Sequence, residues 1–165
     1  MNQNNIQFDI HLNTISVLLE RAKTTEDPAV YLFENDFRTP LFQLEALARI
    51  YSSTGPNRKK FDKMQEKFKL LEDTLGSIDY FDAYGKLFFS NEKIPGDVKS
   101  YFSRKEEKTV SKLNKILKSE GWLNGKQLER INNDLKKTGW KNKDDQHKRL
   151  RKFYRSESEE IVDFA

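Results

Sequence analysis

Asp27-Pro28-Ala29-Val30-Tyr31-Leu32-Phe33-Glu34-Asn35-Asp36-Phe37-Arg38-Thr39-Pro40-Leu41-Phe42-Gln43-Leu44-Glu45 decides how this chain folds. Asp27 carries a carboxylate able to cap the first free amides of a helix, and Pro28 falls at the first helical position, where its missing N–H costs nothing. On a wheel of about 100° per residue, Val30, Phe33, Phe37, Leu41, Leu44, Leu47, Ala48 and Tyr51 gather into one stripe that needs a core to face. Pro40 interrupts that helix. It offers no N–H to the carbonyl of Asp36 and its ring crowds the same oxygen, so a kink or break is predicted near Asp36.

The flanking segments carry the same period. Upstream, Ile6, Phe8, Ile10, Leu12, Ile15, Leu18, Leu19 and Ala22 recur at mixed spacing that turns helical from about Ile10, and the helix closes near Lys23-Thr24-Thr25. Downstream, Ser52-Ser53-Thr54-Gly55-Pro56 ends the second helix. A third follows from about Asn57 to Leu75, with Phe61, Met64, Phe68, Leu71 and Leu75 along one side. Gly76 reads as a stop and Ser77 as a cap for a shorter fourth helix carrying Ile78, Phe81, Leu87 and Phe88 to about Ser90. A single run through Gly76 is the alternative, because an interior glycine costs only about 1 kcal/mol relative to alanine.

After a break at Asn91 to Pro95, a fifth helix is predicted to reach Glu120, burying Val98, Phe102, Thr109, Leu113 and Ile116. Lys105, Lys108, Lys112 and Lys115 fall on one flank of it, within roughly 80° of one another. Gly121-Trp122 and Gly139-Trp140 repeat a capping pattern, in which a left-handed glycine ends a helix and the large apolar residue after it folds back on the last turn. Between them Asn124 caps a sixth helix with Leu128, Ile131 and Leu135. A last helix from about Asp144 carries Leu150, Phe153 and Tyr154 into the acidic Glu157-Ser158-Glu159-Glu160. The expected architecture is one all-α domain, a helical bundle of six or seven helices, with residues 1–5 and 156–165 disordered.

Charge is unevenly spread. Residues 1–55 carry 4 Lys+Arg against 7 Asp+Glu, whereas residues 91–151 carry 17 against 9. A local basic surplus attracts phosphates or acidic partners. The chain has no cysteine, which leaves no disulfide framework or thiolate metal site and suits a reducing compartment. No apolar run approaches the roughly 20 residues needed to cross a bilayer, and the opening Met1-Asn2-Gln3-Asn4-Asn5 is not a secretory leader, so a cytoplasmic protein without membrane contact is expected.

No Gly-rich phosphate loop, Gly-x-Ser-x-Gly elbow or His-Glu-x-x-His occurs, and His11 and His147 lack recognisable catalytic partners. Asp79 and Asp82 share a helical face, but two carboxylates are too few for a cation or for acid–base work, and a solvated pair is expected. The glycine caps assign both tryptophans to packing.

Two resemblances arise at Asn35-Asp36-Phe37-Arg38-Thr39-Pro40-Leu41. The segment resembles the phosphoacceptor box of sensor histidine kinases, His-Glu-Leu-Arg-Thr-Pro-Leu, with Asn35 at the phosphorylated histidine; an amide forms no phosphoramidate, so that activity is not expected. It also resembles the opening helix of the CHAD family, the conserved-histidine α-helical domains, roughly His-x-x-Arg-Val-x-x-Arg-Arg-Leu-Arg. Arg38 and Leu44 match, Asn35 takes the place of the histidine, and Phe42, Gln43 and Glu45 take the places of arginines. Leu75-Gly76-Ser77-Ile78 with Asp82 is similar to the family's Leu-Gly-x-x-Arg-Asp-x-Asp turn, with Asp79 and Tyr80 at its Arg-Asp pair. The resemblance spans Asp27 to Trp122 and implies a shortened, degenerate member that binds inorganic polyphosphate on basic helical surfaces. Arg38 also has a local partner in prospect, since Glu34 precedes it by four residues.

Together these observations give an expected function: a non-enzymatic binding module without cofactor or metal, contacting a polyanion such as polyphosphate, or an acidic protein surface, through Arg38, Lys105, Lys108, Lys112 and Lys115. Nucleic acid is not an expected partner, for want of a helix bearing both base-reading and phosphate-contacting residues. The alternative is a protein-interaction or dimerisation scaffold presenting the second helix, or Phe88, Phe89 and Tyr101, to a partner or to a second copy.

Overall fold

The computed structural model describes residues 6–55, 57–137, 148–156 and 158. Their regular structure is helical throughout: α1 (Ile6–Ala22), α2 (Pro28–Glu34), α3 (Arg38–Thr54), α4 (Arg58–Phe89), α5 (Gly96–Ser119) and α6 (Lys126–Lys137), followed by α7 over 148–156. This is the expected all-α bundle. The expected disorder of residues 1–5, the second cap at Gly139-Trp140 and His147 lie outside the described residues, and in the expected C-terminal tail Ser156 and Ser158 are helical.

The break at Pro40 is complete. Asp27 Oδ1 accepts from the amides of Ala29 and Val30 at 3.0 and 3.2 Å to open α2. The helix stops at Asn35, Asp36 adopts a φ of +51°, and α3 begins at Arg38. Pro40 thereby sits in a first turn, where no N–H is needed. The left-handed residue also resets the helical phase: α2 buries Ala29 and Leu32, with Val30 and Phe33 only half-buried, while Phe37, Leu41, Leu44 and Ala48 continue the expected stripe in α3.

Helix α1 starts earlier than expected. Phe8, Leu12, Ile15, Leu19 and Ala22 step by four and three residues along its buried side, which leaves Ile10 56% exposed. Gly76 does not stop a helix either. α4 runs through it for 32 residues, about 48 Å.

α3 packs along α4, α4 along α5, α1 against α2 and α3, and α2 against α5. The core lies where all of these meet, around Phe61, Met64, Phe68, Leu71 and Leu75 of α4 and Leu113 and Leu117 of α5. Gly121, at a φ of +79°, ends α5 as expected: the Trp122 amide returns to the Leu117 carbonyl at 3.0 Å, and the buried indole meets Phe68 with centroids 6.3 Å apart. Asn124 Oδ1 then accepts from the Lys126 amide at 3.1 Å to start α6.

Beyond Ile78 only Gly85 of α4 is buried, and α5 buries nothing before Leu113. The far ends of these helices therefore leave the core as a two-helix hairpin. Its seam is aromatic: Phe102 lies 4.8 Å from Phe88, 6.0 Å from Phe81 and 6.2 Å from Tyr84 between ring centroids.

Candidate anion-binding surface

Helix α5 turns Leu113 and Leu117 to the core, and its lysines follow from that orientation. Lys105, Lys108, Lys112 and Lys115 are separated by three, four and three residues, a period of 3.5 that keeps them in a row parallel to the axis. The row is about 15 Å long at 1.5 Å per residue. All four side chains are exposed, on the side of α5 turned away from the core. Among the described residues none of the four is in an ion pair. Lys105 instead lies over the Tyr101 ring at 5.4 Å.

Asp97 and Glu106 of α5 are engaged elsewhere, and Glu107 shares a groove with Lys115 at the end of the row. Asp97 Oδ1 accepts from the Val98 amide in the first turn. Glu106 faces α4, where burial raises its pKa above the ordinary value; the nearby Asp82 carboxylate adds to the rise and Lys86 opposes it. Lys86 Nζ donates to Asp82 Oδ2 at 2.7 Å, and that bond and charge hold the ammonium pKa above its ordinary value. Glu107 lines an open groove with Asp27, Asn114, Lys115 and Lys118. Asn114 knits that groove together, its amide donating to Asp27 Oδ1 at 2.8 Å while its carbonyl oxygen accepts from Ala29 N at 3.0 Å. This joint between α5 and the start of α2 has no local sequence signal, because its partners are 85 and 87 residues away.

Arg38 does not join the lysine row. Its Nε donates to Glu72 at 2.8 Å and its Nη1 to Asp79 at 3.4 Å, so the guanidinium bridges from α3 to α4 between two carboxylates. The expected partner Glu34 lies across the break in another helix. Gly76 makes the bridge fit: a Cβ there would stand 2.8 Å from Arg38 Nη2 and 3.0 Å from Cζ. The glycine read as a helix stop is thus the floor under a cation, and Glu72, Gly76 and Asp79 lie on one helical face.

The pairing of Asp79 with Arg38 and of Asp82 with Lys86 also replaces the expected solvated carboxylate pair. No group of three or more metal-ligating side chains occurs among the described residues, and none of the described helices is long and apolar enough to cross a membrane. Asn35, at the histidine position of both resemblances, donates its side-chain amide to the Tyr31 carbonyl at 2.8 Å.

The aromatic surface at the open hairpin includes Phe89 and Tyr101, which the sequence offered as a contact surface, and adds Tyr80 and Tyr84, which it did not. Tyr80, Tyr84 and Tyr101 are 51%, 41% and 47% exposed. Tyr80 and Tyr84 are 4.6 Å apart between centroids, and each lies within 6.3 Å of Phe102, which Tyr101 meets at 5.5 Å. Tyr101 stands four residues before Lys105 in the same 3.5-residue register, so the tyrosines lead directly into the lysine row. Phe89 and Leu87, 58% and 59% exposed, extend the uncovered apolar area at the hairpin tip.

No protein-family model, no curated protein and no solved structure matches this chain.

Proposed function

We propose that this protein is a non-enzymatic helical binding module that meets a polyanion through the outer face of α5, with Lys105, Lys108, Lys112 and Lys115 as the contacting groups. One observation carries this: four cations of one helical row stand exposed side by side and without an ion pair among the described residues, whereas five of the seven cations of α4 have carboxylate partners. Holding four like charges in a row raises the potential along it, and a ligand carrying several phosphates relieves that repulsion while releasing its counterions. Arg38 falls outside the proposed surface, since two carboxylates already meet it. The row lies along a single helix, so an extended anion that can lie beside it fits better than a small one needing enclosure on several sides.

Inorganic polyphosphate is the simplest probe. Its affinity is expected to fall steeply between about 50 and 200 mM salt, and the quadruple reversal K105E/K108E/K112E/K115E is expected to abolish binding in calorimetry at the lower salt. Retention of full affinity by that variant, with its helical circular dichroism intact, overturns the assignment.

A further inference from the structure

We propose that the polyanion is a single-stranded nucleic acid, whose bases stack on Tyr80, Tyr84 and Tyr101 while its phosphates follow Lys105, Lys108, Lys112 and Lys115. This rests on the polyanion reading above and adds a base-binding half to it. Proteins that hold single strands without reading sequence combine a basic track for the backbone with exposed aromatic rings for successive bases. Both parts are present and contiguous. The cation–π contact of Lys105 with Tyr101, at 5.4 Å, joins the last ring to the first ammonium.

The rings are also held as a platform. Phe102 meets all three tyrosines, with centroid separations of 6.3, 6.2 and 5.5 Å to Tyr80, Tyr84 and Tyr101, the last edge-on, and Phe88 braces it from α4 at 4.8 Å. Three tyrosines supported in this way present apolar faces at little further cost in side-chain entropy. A purely ionic ligand such as polyphosphate uses none of them. A duplex keeps its bases stacked and paired inside the helix, so it also leaves the platform idle.

The test compares three fluorescein-labelled probes of equal charge by anisotropy: an oligouridylate of about 12 nucleotides, within the usual site sizes, an abasic sugar–phosphate strand of the same length, and polyphosphate. The expected result is that the oligouridylate binds about tenfold or more tightly than either base-free probe. Its log affinity should fall against log salt with a slope of roughly −3, for four phosphate contacts on a single strand. Y80A/Y84A/Y101A should bring its affinity down to the abasic level without changing polyphosphate binding, and Y80F/Y84F/Y101F should restore it. Circular dichroism checks the fold of both variants, and Y101A alone, at an exposed position, gives the same direction of effect if the triple variant misfolds.

Equal affinity for base-containing and abasic strands, or indifference to the alanine variants, overturns the base platform and leaves the polyanion reading standing. Loss of binding to all three probes overturns both. If light scattering finds a dimer that Y80A/Y84A/Y101A dissociates, the rings face a second copy and the nucleic-acid assignment fails.

Discussion

Helices α4 and α5 have the same number of basic residues and use them in different ways. α4 carries seven, Arg58, Lys59, Lys60, Lys63, Lys67, Lys69 and Lys86, among six acidic ones; α5 carries seven, Lys99, Arg104, Lys105, Lys108, Lys112, Lys115 and Lys118, among three. In α4 five of them have carboxylate partners: Arg58 with Asp62, Lys60 with Asp134, Lys67 with Glu120, Lys69 with Asp73 and Lys86 with Asp82. None of the seven in α5 is in an ion pair among the described residues. Three of these pairs are i,i+4 pairs within α4, and the other two bring Asp134 and Glu120 from segments packed against it. α5 turns one side to the bundle and keeps its lysines on the other. Charge in a composition table and charge available to a ligand are therefore different quantities, and both i,i+4 spacing within a helix and packing between helices set the second.

The largest expected effect concerns what the two helices share. Leu113→Ala removes a fully buried side chain at their contact and should cost about 2–5 kcal/mol in urea unfolding. A cost below about 1 kcal/mol would mean that α5 is only loosely attached, and the comparison with α4 would lose its structural basis.

The next effect tests the bridge on the α3 side of α4. Arg38 and Glu72 should show a coupling of about 0.2–1 kcal/mol in a double-mutant cycle, the range for a partly exposed pair. Gly76→Ala should erase that coupling by displacing the guanidinium. Its net stability should change by less than about 1 kcal/mol, because the helix propensity of alanine offsets the lost pair. Persistence of the coupling in the Gly76→Ala background would show that the glycine is not what admits the arginine.

Neutralising cations separates the two helices directly. Lys67→Gln, which breaks the cross-link to Glu120, should lower stability by about 0.2–1 kcal/mol. Changing Lys105, Lys108, Lys112 and Lys115 together to Gln should leave it within about 0.5 kcal/mol of the parent or raise it slightly, since like charges are removed and no pair is lost. A quadruple variant destabilised more than Lys67→Gln would place those lysines in the fold instead of in binding.

The smallest effect depends on pH. Glu106 has its folded-state pKa raised above the ordinary 4.5 by burial and by Asp82. Its protonated form is therefore favoured in the folded state, so its contribution is fully present below pH 4.5 and is lost as pH rises through the folded pKa. Glu106→Gln should accordingly raise the melting temperature at pH 7 by about 1–2 °C, a small shift because the group is only partly buried. The gain should vanish as pH falls below 4.5. A gain that persists at low pH would point to packing and not to charge.

Much of the bundle was legible because it rests on local rules. The cap at Asp27, the break before Pro40 and the Gly121-Trp122 closure each depend on a few adjacent residues whose backbone chemistry leaves little choice. Gly76 was left open between a stop and a continuous helix for an equally physical reason: a glycine that ends a helix and one that makes room for a side chain look the same until the side chain above it is placed. The lysine row was readable from helical period alone. Of the tyrosines only Tyr101 was singled out, because its grouping with Tyr80 and Tyr84 around Phe102 joins two helices across a turn. Asn114, which ties α5 to Asp27, gave no sign at all.

By itself, the sequence determined that this chain is helical, where its helices begin and end at strong caps, and that its cations collect toward the later half. Those properties follow from backbone geometry and from the 3.6-residue repeat, both of which act over a few residues. Only the tertiary structure decided which cations are neutralised across helices, which glycine is a floor, and which aromatic rings stay uncovered. Each of these depends on what another helix brings within about 4–6 Å, a distance that position along the chain does not encode.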